Sequence, residues 1–261
     1  MTDDPSSFPY EIGMVLSGGG ARGIAHVGVL RAFNENGIFP SVISGSSAGS
    51  IVGALYADGL SPAQIIEASA NLRFINIIRF SLPRHGLFRL EGVVRLFKNL
   101  LRSKNFEDLQ IPLFVNATNF SKGTLETFDK GELLRPVVAS ASIPVLFQPI
   151  MIKGQAYMDS GLIDNLPVSP LKNKCRVIVG VNANPLEETY ELGNMAEVID
   201  RAVRISYSEN VRRNRKHCDL YIEPHGLEKF QLMDLSKAQE IEELGYQHAQ
   251  KVLERNKHLL F

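Results

Sequence analysis

The sequence has only two cysteines, no excess of either charge, and no apolar run as long as a membrane span. Cys175 and Cys218 lie far apart, without the spacing of a zinc site or a redox pair, so reduced thiols are expected and no metal site is. Lysine plus arginine equals aspartate plus glutamate at 28 each, which leaves no electrostatic case for nucleic acid or an acidic partner. The opening "MTDDPSSFPYEIG" carries acids where a targeting segment would carry a basic stretch and an apolar core, so a cytoplasmic protein is expected. Internal repeats, low-complexity tracts and Pro-, Gly- and Ser-rich linkers are also missing. At 261 residues the chain sits near the upper limit of one hydrophobic core, and residues 1–261 are read as a single domain.

What is present is an alternation of strand-like and helix-like segments. Ile12 to Leu16 reads as a strand, followed by a glycine loop at 18–23 and a helix ending near Asn36-Gly37. The pattern recurs with Val42-Ile43, a turn at 45–49, and a helix closed by Asp58-Gly59; Ser61-Pro62 then caps a third helix running to about Asn71. Further strand-like runs fall at 113–117, 124–128, 150–152 and 177–181. Such alternation predicts a layered α/β fold.

Two glycine-rich turns carry the chemistry. Gly18-x-Gly20-x-x-Gly23, between strand and helix, fits a dinucleotide fingerprint, but the second strand ends in "SVISGSS", without the carboxylate that would hold a ribose. What remains is a row of backbone N–H groups at a helix N-terminus, suited to an oxyanion as much as to a phosphate. The plain alternative is a sharp turn that merely packs the helix closely. The second turn, Gly45-Ser46-Ser47-Ala48-Gly49, matches G-x-S-x-G, in which small residues on both sides let the central serine stand out at a strand-to-helix elbow.

A nucleophilic Ser47 needs a base. Of six histidines, His26 follows the glycine loop, His85 sits among basic residues, and His217, His248 and His258 read as solvated. His225, after a strand-like run, is the one candidate for a Ser–acid–His triad. Asp159 is the stronger choice: a strand-like run ends in this acid within "MDSGLIDNLPV", and an aspartate held against a serine can take its proton directly. Asp164 is the reserve.

With these elements in this order, the sequence resembles the patatin-like phospholipase family. The matches are "GGGARG" at 18–23, "GSSAG" at 45–49, "SASIPVLFQP" at 140–149 and "MDSGLIDNLPV" at 158–168, with core similarity over about 12–181 and a C-terminal helical part over about 190–261. The resemblance implies an αβα fold with a central, mostly parallel sheet and helices on both faces. It implies a Ser47–Asp159 dyad, an oxyanion hole from Gly18, Gly19 and Gly20, and Arg22 bracing the loop or attracting an anionic head group. Gly23, Gly45, Gly49 and Gly161 support those motifs. It implies a lipid ester as substrate and neither metal nor organic cofactor. One departure stands out: the family's acid motif usually reads Asp-Gly-Gly or Asp-Gly-Ala, and Ser160 replaces the first glycine. Two other functions fit the residues: an α/β-hydrolase-type esterase using Ser47 and His225, and a non-catalytic protein whose Gly18–Gly23 loop binds an anion or nucleotide.

Residues 71–104 interleave Phe, Ile, Leu and Val with eight basic residues against Glu91 alone, from Arg73, Arg79, Arg84 and Arg89 to Arg95, Lys98, Arg102 and Lys104. A basic amphipathic segment of this kind predicts a lid or a peripheral contact with an anionic membrane, against the alternative of core helices with a solvated basic face.

Overall fold

The structure, a computed structural model, describes residues 8–70, 79–80, 88–89, 91–186 and 194–261. Its centre is an eight-stranded sheet. Strands β1 (Tyr10–Leu16), β2 (Val42–Gly45), β5 (Leu113–Asn119), β9 (Cys175–Val181) and β10 (Leu220–Ile222) run parallel in the order β10-β9-β1-β2-β5. Beyond β5, the antiparallel strands β6 (Thr124–Phe128), β7 (Ile150–Ile152) and β8 (Gln155–Met158) complete it. A separate two-stranded hairpin pairs β3 (Arg79–Phe80) with β4 (Phe88–Arg89).

The helices are α1 (Ala25–Glu35), α2 (Ala48–Ala57), α3 (Pro62–Ala70), α4 (Glu91–Leu100), α5 (Leu134–Ser140), α6 (Met195–Asn214) and α7 (Ala238–Asn256). Strand alternation sends the residues of β1 to opposite faces. Ile12, Met14 and Leu16 pack with Val27, Leu30 and Phe33 of α1, Leu55 of α2 and Leu253 of α7. Val15 packs on the other side with Leu166, Leu171 and Val211 of α6. Helices therefore cover both faces of a mostly parallel sheet, as expected. Helix α2, "AGSIVGALYA", is apolar almost all round because it is buried almost all round. Its end is tied down by Asp58, whose carboxylate accepts the backbone N–H of Arg102 at 2.7 Å and of Ser103 at 3.0 Å.

The expected C-terminal helical part is not helical alone. Between α6 and α7 the chain supplies β10, whose buried Leu220 and Ile222 extend the sheet beside β9. Among the described residues, no helix is long and apolar enough to cross a membrane.

Much of the basic segment 71–104 lies outside the described residues, including Arg73 and Arg84. Where it is described, α4 turns Phe97 into the core and Val94 against Val138 and Phe147, while Lys98, Arg102 and Lys104 are exposed.

Candidate active site

The glycine loop follows β1 and the serine turn follows β2, two neighbouring parallel strands, so both motifs open at the same carboxyl end of the sheet. This is where open α/β sheets place their ligands. Ser47 is the N-cap of α2 and holds φ 50°, ψ −122°, a conformation that costs a non-glycine residue free energy and is stable only where the surroundings enforce it. They do so closely. A Cβ at Gly49 would collide with the carbonyl of Leu16, and one at Gly45 would lie 2.7 Å from Cα of Ser50. The N–H of Ser47 donates to Oγ of Ser140 at 2.9 Å, and the carbonyl of Ser47 accepts the Ser50 hydroxyl at 2.6 Å.

With the elbow fixed, Oγ of Ser47 donates to Oδ2 of Asp159 at 2.6 Å. Asp159 leaves the end of β8 and caps the short 3-10 turn Ser160–Leu162 by accepting the N–H of Gly161 at 2.8 Å. Tyr207 donates to the same oxygen, Oδ1, at 3.0 Å. Both members of the pair are buried. Burial pushes the Asp159 carboxyl up to about 6, against the opposing pull of the Ser47, Gly161 and Tyr207 hydrogen bonds. The group is thus mostly ionised at neutral pH, yet a stronger base than an exposed aspartate.

Ser160, the departure in the acid motif, is built into the site. Its hydroxyl is hydrogen-bonded to that of Ser46 at 2.7 Å and to that of Ser140 at 3.0 Å, so acid turn, elbow and α5 share one buried chain of hydroxyls.

The loop glycines divide. Gly18 lies against Ser47, since a Cβ there would come 2.9 Å from the serine Cβ. Its N–H, however, points into the protein: it is shared between the backbone oxygen of Asn165 at 3.2 Å and Oδ1 of the same residue at 3.1 Å. The expectation that Gly18 donates to an oxyanion is corrected accordingly, because Asn165 occupies its donor. Among the described residues, no acceptor pairs with the N–H of Gly19, of Gly20 (φ 57°) or of Ala48, the first residue of α2. Ala48 was not foreseen, although the residue after an elbow serine is a usual donor and Gly23 packs directly on its methyl.

Arg22 is fully buried. Its Nε donates to the Gly19 carbonyl at 3.2 Å, and its remaining nitrogens reach the Phe230 carbonyl at 3.1 Å and Asp200 at 3.2 Å. Burial lowers it to about 10, with Asp200 opposing, so the guanidinium stays charged and holds the loop from inside. No head group can reach it there.

The other candidates lie elsewhere. His225 is exposed, its ring centroid 5.2 Å from that of His248 on α7, while the Ser47 hydroxyl is taken by Asp159. Asp164 holds a turn, accepting from Leu166 N at 3.2 Å and Asn214 Nδ2 at 2.9 Å. His26, pushed down to about 4 by burial, is neutral and its Nε2 is 2.8 Å from the Ser17 carbonyl. Of the described residues, no group of three or more His, Cys, Asp and Glu side chains is arranged to hold a metal. Tyr207, Ser140 and Ser46 were not singled out from the sequence as site residues. For Tyr207 a signal existed: Arg204, Tyr207, Asn210 and Asn214 repeat at helical spacing, a polar stripe on one face of a long helix.

A family model described as patatin-like phospholipase matches residues 14–172. Among curated proteins, the chain is 30% identical to lysophospholipase NTE1 of Coccidioides immitis over 94% of its own length and 18% of that protein's. It is 29% identical to patatin-like phospholipase domain-containing protein 7 of Rattus norvegicus over 91% of its length and 20% of that protein's. The chain therefore spans about a fifth of these relatives. Among solved structures, VipD from Legionella pneumophila shares the fold, with a TM-score of 0.63 at 15% identity over 95% of this chain and 67% of that one.

Proposed function

The chain belongs to the patatin-like phospholipase family, and from that premise we propose that it is a serine acyl hydrolase that cleaves lipid carboxylic esters, phospholipid or lysophospholipid, through an acyl-enzyme on Ser47. The observation that carries this reading is the 2.6 Å hydrogen bond from Ser47 Oγ to Asp159 Oδ2. The names of the relatives support the substrate class.

In the first half-reaction, Oγ of Ser47 attacks the ester carbonyl carbon while its proton passes to Oδ2 of Asp159. The carbonyl oxygen becomes an oxyanion, which the N–H groups of Gly19, Gly20 and Ala48, without an acceptor among the described residues, and the positive end of α2 can stabilise. Collapse breaks the bond to the leaving alcohol, which takes the proton back from Asp159. In the second half, Asp159 accepts a proton from water as that water attacks the acyl-serine, and returns it to Oγ as the fatty acid departs. A carboxylate raised to about 6 suits both directions, since it is ionised at the start of each step and closer in basicity to the group it serves.

Access to a lipid surface is assigned to residues 71–104, supported by the exposed Lys98, Arg102 and Lys104 at the edge of the described part. The test is fatty acid release from a lysophospholipid and from a diacyl phospholipid in mixed micelles. Release by the wild type and none by Ser47→Ala is expected; equal release by both contradicts the reading.

A further inference from the structure

Among the described residues, the Asp159 carboxylate accepts three hydrogen bonds, and only one of them comes from the nucleophile. Oδ2 takes the Ser47 hydroxyl, while Oδ1 takes the N–H of Gly161 at 2.8 Å and the hydroxyl of Tyr207 at 3.0 Å. Tyr207 stands 48 residues beyond the acid, on α6, outside the segment that the family model matches. Tyr207 as a whole is 2% exposed. It reaches the carboxylate because residue 161 has no side chain: a Cβ there would lie 2.5 Å from the ring carbon that bears the hydroxyl. The helix is held on both sides of the tyrosine, to the Phe230 segment before it and to the acid turn after it. Arg204 binds Asp200 at 2.7 Å and the Phe230 carbonyl at 3.0 Å. Asn210 accepts the N–H of Asn165 at 2.8 Å and donates to the Gly161 carbonyl at 3.3 Å.

An aspartate carboxylate rotates within a broad two-fold well. With Oδ1 held by two donors in different directions, that rotation is closed off and Oδ2 is left for the serine. We infer that Tyr207 is a positioning residue for acyl transfer, its hydroxyl fixing the Asp159 carboxylate with Oδ2 toward Ser47. The inference rests on the hydrolase reading above. The phenol keeps its own proton throughout, because burial and the adjacent carboxylate hold it well above the ordinary tyrosine range. It therefore donates to Asp159 and does not take over as base. Among the described residues, the charged group acting on the pair is Arg22, which reaches Tyr207 from the glycine loop and is itself paired with Asp200, which also binds Arg204.

The test compares Tyr207→Phe with wild type by the rate of Ser47 labelling with a fluorophosphonate across pH and by kcat and KM on a lysophospholipid. Removing the hydroxyl is expected to lower kcat by about tenfold with KM within about twofold, since a misplaced base costs the chemical step and not binding. The acid limb of both profiles is expected to move upward by about one pH unit, since a donor to the ionised form is lost. Unchanged rates, or a fall in rate with an unmoved acid limb, overturn the inference. Should Tyr207→Phe not fold, fluorotyrosine placed at 207 is the second variant: a stronger donor moves the acid limb downward, and an unmoved limb counts against the role. Wild type that is folded and never labels would refute the hydrolase reading itself, a result distinct from failure of the Tyr207 assignment.

Discussion

The hydroxyl of Ser160 lies 2.7 Å from the hydroxyl of Ser46, which joins the turn carrying the base to the elbow carrying the nucleophile. The Ser160 side chain thus adds a tether, continued through Ser140 to the backbone N–H of Ser47. Ser160→Gly leaves the buried Ser46 hydroxyl without that partner. A loss of about 1–3 kcal/mol in urea denaturation is expected, with a few-fold drop in kcat. A variant as stable and as active as wild type would show the tether to be idle.

The elbow tolerates no methyl where Leu16 passes. In Gly49→Ala the new Cβ meets the Leu16 carbonyl, which is sheet backbone and has nowhere to go. Insoluble protein, or a loss of about 3 kcal/mol or more, is expected. Gly53→Ala on the same helix is the control, because its methyl meets the movable side chains of Ile43 and Leu113 at 3.1 and 3.3 Å. That variant is expected to fold and to keep its activity.

Asp159 couples activity and stability to pH in opposite directions. As a base it must be ionised, so kcat/KM is expected to fall as pH drops through about 6. Its folded pKa lies above the ordinary value of 3.8, so its contribution to stability is fully present below pH 4 and is lost as pH rises through about 6. Asp159→Asn removes that loss along with the activity. The stability advantage of Asp159→Asn over wild type should grow by about 3 kcal/mol between pH 4 and pH 7.5. Asp164, also pushed up to about 6 by burial, is present in both proteins and cancels in the difference. A difference independent of pH would contradict the assignment.

Arg22 serves three acceptors with one planar group, the carbonyls of Gly19 and Phe230 and the carboxylate of Asp200. A lysine cannot span them. Arg22→Lys is expected to cost about 3 kcal/mol or more in chemical denaturation and to slow acylation, since the Gly19 carbonyl loses its anchor. Added salt should not reproduce the effect in wild type, because Arg22 is fully buried and its partner Asp200 is only 15% exposed. If Arg22→Lys instead folds normally and only weakens binding of anionic substrates, the brace assignment fails.

Much of this arrangement was legible in the sequence because local chemistry dictates it. Glycines at 45 and 49 around Ser47, and an acid at the end of a strand-like run, are visible without coordinates because an elbow and a turn are local events. The Gly18 donor misled because its fate depends on Asn165, 147 residues away. Spacing within the loop reveals four glycines; it does not reveal which N–H faces inward. Tyr207 and the Ser46–Ser160–Ser140 chain are likewise products of packing between distant segments. The strand-like run before His225 is β10, only three residues long; its place in the sheet comes from pairing with β9, which the run alone does not specify.

The central claim is that Ser47 is an activated nucleophile and Asp159 its base. Fluorophosphonate labelling of wild type, Ser47→Ala, Asp159→Asn and His225→Ala, each confirmed as folded, tests it most directly. Labelling at Ser47 in wild type and His225→Ala, and none in the other two, is the expected result. Folded wild type that never labels, or labelling that disappears in His225→Ala and persists in Asp159→Asn, would contradict it.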